Sequence, residues 1–156
     1  MTPTPRPPIS SPPADADIRD ILARARTIAV VGLSANPDRP SHAVAAFLAA
    51  RGHRIVGVNP GLAGQRILGE EVRATLSDIP FDIDMVDIFR RSELVLPVVE
   101  EALVALPGLR TVWMQLGVEN EAAAALARAK GVSVIQNRCP AIEIPRLRIC
   151  TPAGAY

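Results

Sequence analysis

The residues of this chain best placed to do chemistry follow an apolar run. Ile28, Ala29, Val30 and Val31 lead into Gly32. A polar, proline-stiffened loop comes next, carrying Leu33, Ser34, Asn36, Pro37 and Arg39, and a helix-like run opens at Ser41. A strand that ends in glycine and passes straight into a helix aims backbone N–H groups and a positive helix end at one point, which is the chemistry of phosphate binding. Arg39 adds a planar fork suited to a phosphate. Ser41 is expected to cap the helix, an interaction of about 1 kcal/mol.

Spacing narrows the ligand. A dinucleotide loop of the form G-x-G-x-x-G needs glycine at 32, 34 and 37, and the chain has Gly32, Ser34 and Pro37. Sheets that bind NAD also carry Asp or Glu after the second strand for the ribose hydroxyls, whereas this chain has Val58, Asn59 and Pro60. Both departures count against an NAD(P)-dependent oxidoreductase, which stays as the alternative reading.

The elements that must position this loop follow from periodicity. Ile18, Ile21, Leu22 and Ala25 fall at helical spacing on one stripe. Strands are expected over Thr27–Leu33, Arg54–Val58, Ile83–Phe89, Thr111–Leu116 and Val132–Ile135, with a short one around Ile67. Helices are expected over Ser41–Arg51, Glu93–Leu106 and Glu119–Lys130, with glycine after the first and third. The near-continuous apolar strands read as buried on both faces, as in a parallel sheet. Each crossover is long enough for a right-handed βαβ unit. The fold class expected is α/β: a single domain with a doubly wound, mostly parallel sheet. It is assigned to residues 15–149, with a flexible proline-rich tail at 1–14 and a C-terminal tail at 150–156. Residues 141–156 carry no clear pattern.

Composition excludes several function classes. The chain has 156 residues, 49% apolar and 21% charged, enough for one real core. Aromatics make up only 3%, so that core must be aliphatic. A net charge of +1 and few stacking rings argue against nucleic acid or an anionic membrane as partner. No apolar run approaches the roughly 20 residues that span a bilayer, and no signal-peptide pattern opens the chain, so a cytoplasmic protein is expected. Cys139 and Cys150 lie outside any metal-like cluster and read as reduced thiols.

In open α/β sheets ligands bind outside the carboxyl ends of the strands. The residues there are Gly32, Leu33 and Ser34; Asn59 and Pro60; Phe89, Arg90 and Arg91; Gln115, Leu116 and Gly117; and Asn137, Arg138 and Cys139. Small and polar residues with recurring arginine suit a ligand with several phosphates and a long neutral arm.

The segments VVGLSANPDRPSHAV, IVGVNP, LGEEV, IDMVDIFRRSE, VWMQLGVENEAA and VIQNRCP occur in that order. Together they resemble the small, stand-alone CoA-binding domain proteins, relatives of the CoA-binding domain of succinyl-CoA synthetase. The resemblance covers roughly residues 18–147. It implies a Rossmann-like fold that binds coenzyme A or an acyl-CoA, usually with no known reaction. It places Gly32, Leu33, Ser34, Arg39 and Ser41 at the phosphates and Asn59 and Pro60 near the adenosine. Phe89, Arg90 and Arg91 are placed near the pantetheine or phosphates, and Gln115 and Gly117 line the next loop. The family often has Asp where this chain has Asn137, which puts an ionic or acid/base role of that position in doubt.

Plainer roles are expected elsewhere. Asp87 reads as holding the following loop by hydrogen bonds, and the adjacent Arg90 and Arg91 as diverging, one toward a ligand and the other toward Glu93 or solvent. His42 and His53 read as surface residues, Trp113 as packing, and Cys139 as a structural thiol. No Ser/His/Asp set, H-E-x-x-H or C-x-x-C is legible, so binding rather than turnover is expected, with no metal. A CoA-sensing regulatory module, a homo-oligomer and a protein partner stay open.

Overall fold

The computed structural model describes residues 13–154. Apart from Pro13 and Ala14, the expected proline-rich tail lies outside the described residues. Helix α1 (Asp15–Arg24) leads into strand β1 (Thr27–Val31), helix α2 (Pro40–Ala50) and strand β2 (Arg54–Val58). A small antiparallel hairpin, β3 (Arg66–Ile67) and β4 (Glu70–Glu71), follows. Then come β5 (Met85–Ile88), α3 (Val95–Ala105), β6 (Thr111–Met114), α4 (Glu121–Ala129), β7 (Ser133–Ile135) and α5 (Pro140–Leu147).

Five strands form one all-parallel sheet in the order β2-β1-β5-β6-β7. This is the Rossmann-like, doubly wound α/β fold the sequence predicts. Side chains alternate across it, as strand geometry requires. Ile28, Val30, Met85 and Trp113 face one layer, packed under Ile18 and Leu22 of α1, Val44 and Leu48 of α2, and Ile144 of α5. Ala29, Val31, Val86, Ile88 and Val112 face the other, under Val95 and Val99 of α3 and Ala123 and Ala127 of α4. Both layers are almost wholly aliphatic. Trp113 is the fully buried aromatic among the described residues, its indole N–H donating to the Arg138 carbonyl at 2.8 Å.

The order of strands reverses between β1 and β5. The chain leaves β1 toward α2 on one face and leaves β5 toward α3 on the other, so their exits diverge and open a crevice between them.

Three sequence expectations are corrected here. His53 is buried, 4% exposed, because it turns inward from the start of β2 and donates from Nδ1 to the Ala25 carbonyl at 2.9 Å. The first strand stops at Val31, since Gly32 takes a positive φ of 89° that no strand continues. Residues 141–147, which carry no clear pattern, belong to α5, with Pro140 in its first turn, where a missing N–H costs nothing. Residues 151–154 turn back onto α2, Ala153 N–H donating to the Arg51 carbonyl at 2.9 Å.

Candidate functional site

The site is built around the exit of β1. Gly32 N–H still donates to the Val58 carbonyl at 2.9 Å, and the chain then turns sharply. Leu33 points into the core, fully buried against Gly57, where any side chain would meet its Cδ2 at 2.2 Å. Leu33 therefore anchors the loop and offers the crevice only its backbone.

Ser41 does not cap α2. The N-cap position falls on Arg39, no side chain bonds the helix end, and Pro40 takes the first helical place. Proline's preset φ starts the helix one residue earlier than the serine signal indicates. The buried Ser41 hydroxyl instead accepts the Ser34 N–H at 3.0 Å, across the loop. His42 reinforces this, donating from Nδ1 to the Ser34 carbonyl at 2.9 Å; it is half-buried, a loop anchor rather than the surface residue expected. Local turns complete the loop: Asn36 N–H donates to Ser34 Oγ at 3.1 Å and Asp38 N–H to Asn36 Oδ1 at 3.0 Å.

The consequence is chemical. The amino end of a helix leaves its first N–H groups without intrahelical partners. Here Pro40 has none to offer and no side chain covers the rest, so the helix presents its positive end beside the exposed Arg39. No carboxylate among the described residues pairs with Arg39 or Arg90, whereas Arg91 Nε lies 3.5 Å from Glu93 Oε1 at the surface.

The neighbouring strand exits are tied to this loop and to each other. Asn59 donates from Nδ2 to the Leu33 carbonyl at 2.9 Å and accepts the Gly61 N–H at 3.0 Å, with Pro60 opening a short 3-10 turn after it. Its amide is thus engaged in holding two loops together. Phe89 N–H donates to the Val31 carbonyl, and its half-buried ring packs against the core. Gln115 is buried with Oε1 unpaired. Gly117 takes φ 80°, its N–H donating to Asn137 Oδ1 at 2.7 Å. Asn137 itself is left-handed at φ 56°, a conformation asparagine tolerates well. An acceptor oxygen is what that position supplies, and Asn provides it as Asp would.

Asp87 corrects another expectation. It is fully buried on β5 between Val30 and Trp113, and neither carboxylate oxygen has a hydrogen-bond partner. It holds no loop. Burial pushes its pKa well above the usual carboxylate range and favours the neutral acid.

An open cleft of about 630 Å³ lies at the opposite, amino end of the sheet, lined by Arg24, Arg26, Asp82, Asp84 and Arg110 among others. Two of those five charges are engaged: Arg24 pairs with Asp20 at 3.0 Å, and Asp84 accepts the Arg26 and Thr27 N–H groups. The uncapped helix lies at the carboxyl end, and the candidate site is placed there.

A family model described as a CoA binding domain matches residues 26–145, which takes in every strand of the sheet and all the loops just described. The chain belongs to the CoA-binding domain family. It is 40% identical over 127 residues to the uncharacterized protein YneT of Bacillus subtilis, covering 81% of this chain and 91% of that one. A hypothetical protein of Pyrococcus horikoshii has a solved structure 35% identical, with a TM-score of 0.80 over 94% of this chain and 99% of the other. A dinucleotide-forming acetyl-coenzyme A synthetase of Ca. Korarchaeum cryptofilum contains the same fold, at 22% identity and a TM-score of 0.60; the match covers 76% of this chain and 26% of the synthetase.

Seen as a CoA-binding domain, the chain brings the predicted residues to one end of the sheet but gives them different parts. Ser34, Arg39, Arg90 and Gly117 reach the surface of that end, at least in part. Leu33, Ser41, Asn59 and Gln115 build its floor and walls. Sequence reasoning missed Ser92 and Asn120. Ser92 Oγ accepts the Glu119 N–H at 3.0 Å, and Asn120 donates to the Ser92 carbonyl at 2.9 Å while accepting the Ala123 N–H at 2.9 Å as the cap of α4. The cap had a sequence signal, Asn before an alanine-rich run; the long-range pairing had none. Among the described residues no group of His, Cys, Asp or Glu could hold a metal ion, and no helix is long and apolar enough to cross a membrane.

Proposed function

We propose that the chain binds coenzyme A or an acyl-CoA across the carboxyl ends of the parallel strands. The diphosphate rests on the loop from Gly32 to Arg39 and on the amino end of α2. Asn59 and Pro60 border the adenosine, and the pantetheine arm runs past Phe89, Arg90 and Arg91 toward Gln115 and Gly117. The observation that carries this reading is the uncapped helix end beside an exposed, unpaired Arg39, in a chain of the CoA-binding domain family. An anion there meets helix N–H groups and a guanidinium together.

Isothermal titration with coenzyme A tests the reading. Binding is expected, and no heat at millimolar ligand overturns it. Arg39→Ala removes one charge-assisted contact of about 1.5–3 kcal/mol, so coenzyme A should weaken roughly ten-fold or more. Pantetheine, which has no phosphate, should bind the variant as it binds the wild type. Equal weakening of both removes the phosphate role from Arg39.

A further inference from the structure

The open cleft at the amino end of the sheet, about 630 Å³, is of the size that holds small ligands, about 300–1,000 Å³. It forms where three parts of the chain meet. Arg26 comes from the joint between α1 and β1, Asp82 from the segment before β5, and Gly108 and Arg110 from the segment before β6. A second hollow of about 90 Å³ shares Arg24, Asp84 and Arg110 with it and continues toward Ser133 at the start of β7. The two make one connected depression across the strand starts.

Its charges fall into two sets. Asp84 spends both oxygens on backbone, accepting the Arg26 N–H at 3.2 Å and 3.0 Å and the Thr27 N–H at 3.4 Å, and Arg24 is held by Asp20. Arg26, Asp82 and Arg110 are exposed on the cleft, and none of their side chains has an ion-pair or hydrogen-bond partner among the described residues. Two guanidiniums and one carboxylate thus face the same space without pairing with each other. Helix ends add to the negative side. α1 ends at Arg24, and Gly108 follows the end of α3 closely. The last carbonyls of a helix lack intrahelical partners and carry its negative end. Asp82 and those carbonyls favour an ammonium, while the planar forks of Arg26 and Arg110 favour a carboxylate. Asp82 and Asp84 together repel a polyanion, so a phosphate-rich ligand is disfavoured at this end.

We infer that this cleft is a second ligand site, for a small zwitterion of the α-amino acid class, its carboxylate on Arg26 and Arg110 and its ammonium on Asp82. A ligand carrying both charges satisfies all three free groups at once. The small residues Ala23 and Gly108 in the wall leave room for its side chain. The site lies at the opposite end of the sheet from Arg39, so it stands or falls independently of coenzyme A.

Saturation-transfer NMR on the full chain tests this, with each standard L-amino acid at millimolar concentration. At least one is expected to bind, and to weaken about ten-fold or more in an Arg26→Gln/Arg110→Gln variant. Both side chains are exposed and unpaired, so the fold should survive, and a matching circular dichroism melt checks it. The single Arg110→Gln variant, read in the same way, serves if the double variant does not fold. Asp82→Asn should weaken the same amino acid while leaving unchanged the binding of its des-amino analogue, the carboxylic acid of the same carbon skeleton. Saturating coenzyme A should not displace the amino acid. If no amino acid binds, or binding survives loss of both arginines, the site is overturned. Displacement by coenzyme A places the amino acid at the carboxyl end and overturns it equally. If Asp82→Asn changes neither ligand, the cleft takes a simple carboxylate and the zwitterion assignment is wrong.

Discussion

Gly32 lies so close to Phe89 that a Cβ on residue 32 would stand 2.3 Å from the Phe89 carbonyl oxygen. The atom it would meet is backbone, held in register by the Phe89 N–H bond to Val31, and cannot swing aside. Gly32 also has φ 89°. Close approach and left-handed backbone both demand glycine, at the point where β1 and β5 part to open the crevice. Gly32→Ala should destabilise the protein by on the order of 2 kcal/mol or more and spread the crevice. Urea unfolding reads the first effect. A variant as stable as the wild type would contradict it.

Asn137 serves through its side-chain oxygen and its left-handed backbone. Asn137→Asp keeps the acceptor for the Gly117 N–H and should leave stability within about 0.5 kcal/mol. Asn137→Ala loses the acceptor and puts at φ 56° a residue that tolerates the left-handed region less well than asparagine, at an expected cost of about 1–3 kcal/mol. Thermal melts of the two variants should separate clearly. If Asp behaves like Ala, the position needs the amide nitrogen instead.

Asp87 predicts a loss of stability with rising pH. Its carboxyl keeps its proton in the folded chain at pH values where the unfolded chain, titrating near 3.8, has lost it. The folded state then binds more protons, so the contribution of Asp87 is fully present below about pH 3.8 and is lost as pH rises through the folded value, at up to about 1.4 kcal/mol per pH unit. Asp87→Asn cannot ionise and should gain stability relative to the wild type between pH 4 and pH 8 in urea titrations. Parallel curves for the two proteins would sink this account.

His53 acts in the opposite direction. Burial lowers its pKa below the usual 6.5, partly opposed by the bond to the Ala25 carbonyl. The unfolded chain takes up the proton first, so the contribution of His53 is present above pH 6.5 and is lost as pH falls through the folded value. His53→Asn keeps a donor for Ala25 and does not titrate. Between pH 7 and pH 5 the wild type should lose more stability than the variant, and an equal loss in both would place the acid sensitivity elsewhere.

The two histidines and the two serines of the first loop show where reading the chain stops. Sequence alone determined the class of fold, because apolar runs of strand length alternate with helical stripes, and only a parallel sheet covered on both faces can bury them. It also pointed to a candidate site, since Gly32 ends a strand and α2 begins within ten residues, in a loop without the dinucleotide glycine spacing. Those inferences rest on local periods and local turns, which neighbouring residues set between themselves. Tertiary structure decided what each polar group does. Ser41 reads locally as a cap, but Pro40 starts the helix first and leaves the hydroxyl to Ser34. His53 reads as an exposed helix flank, but β2 and α1 close over it. Asp87 reads as a loop anchor, but its place between Val30 and Trp113 shuts it away from every partner. Each outcome depends on which residues from distant parts of the chain arrive at the same place. That is fixed by strand order and packing, through contacts that leave no period in the sequence.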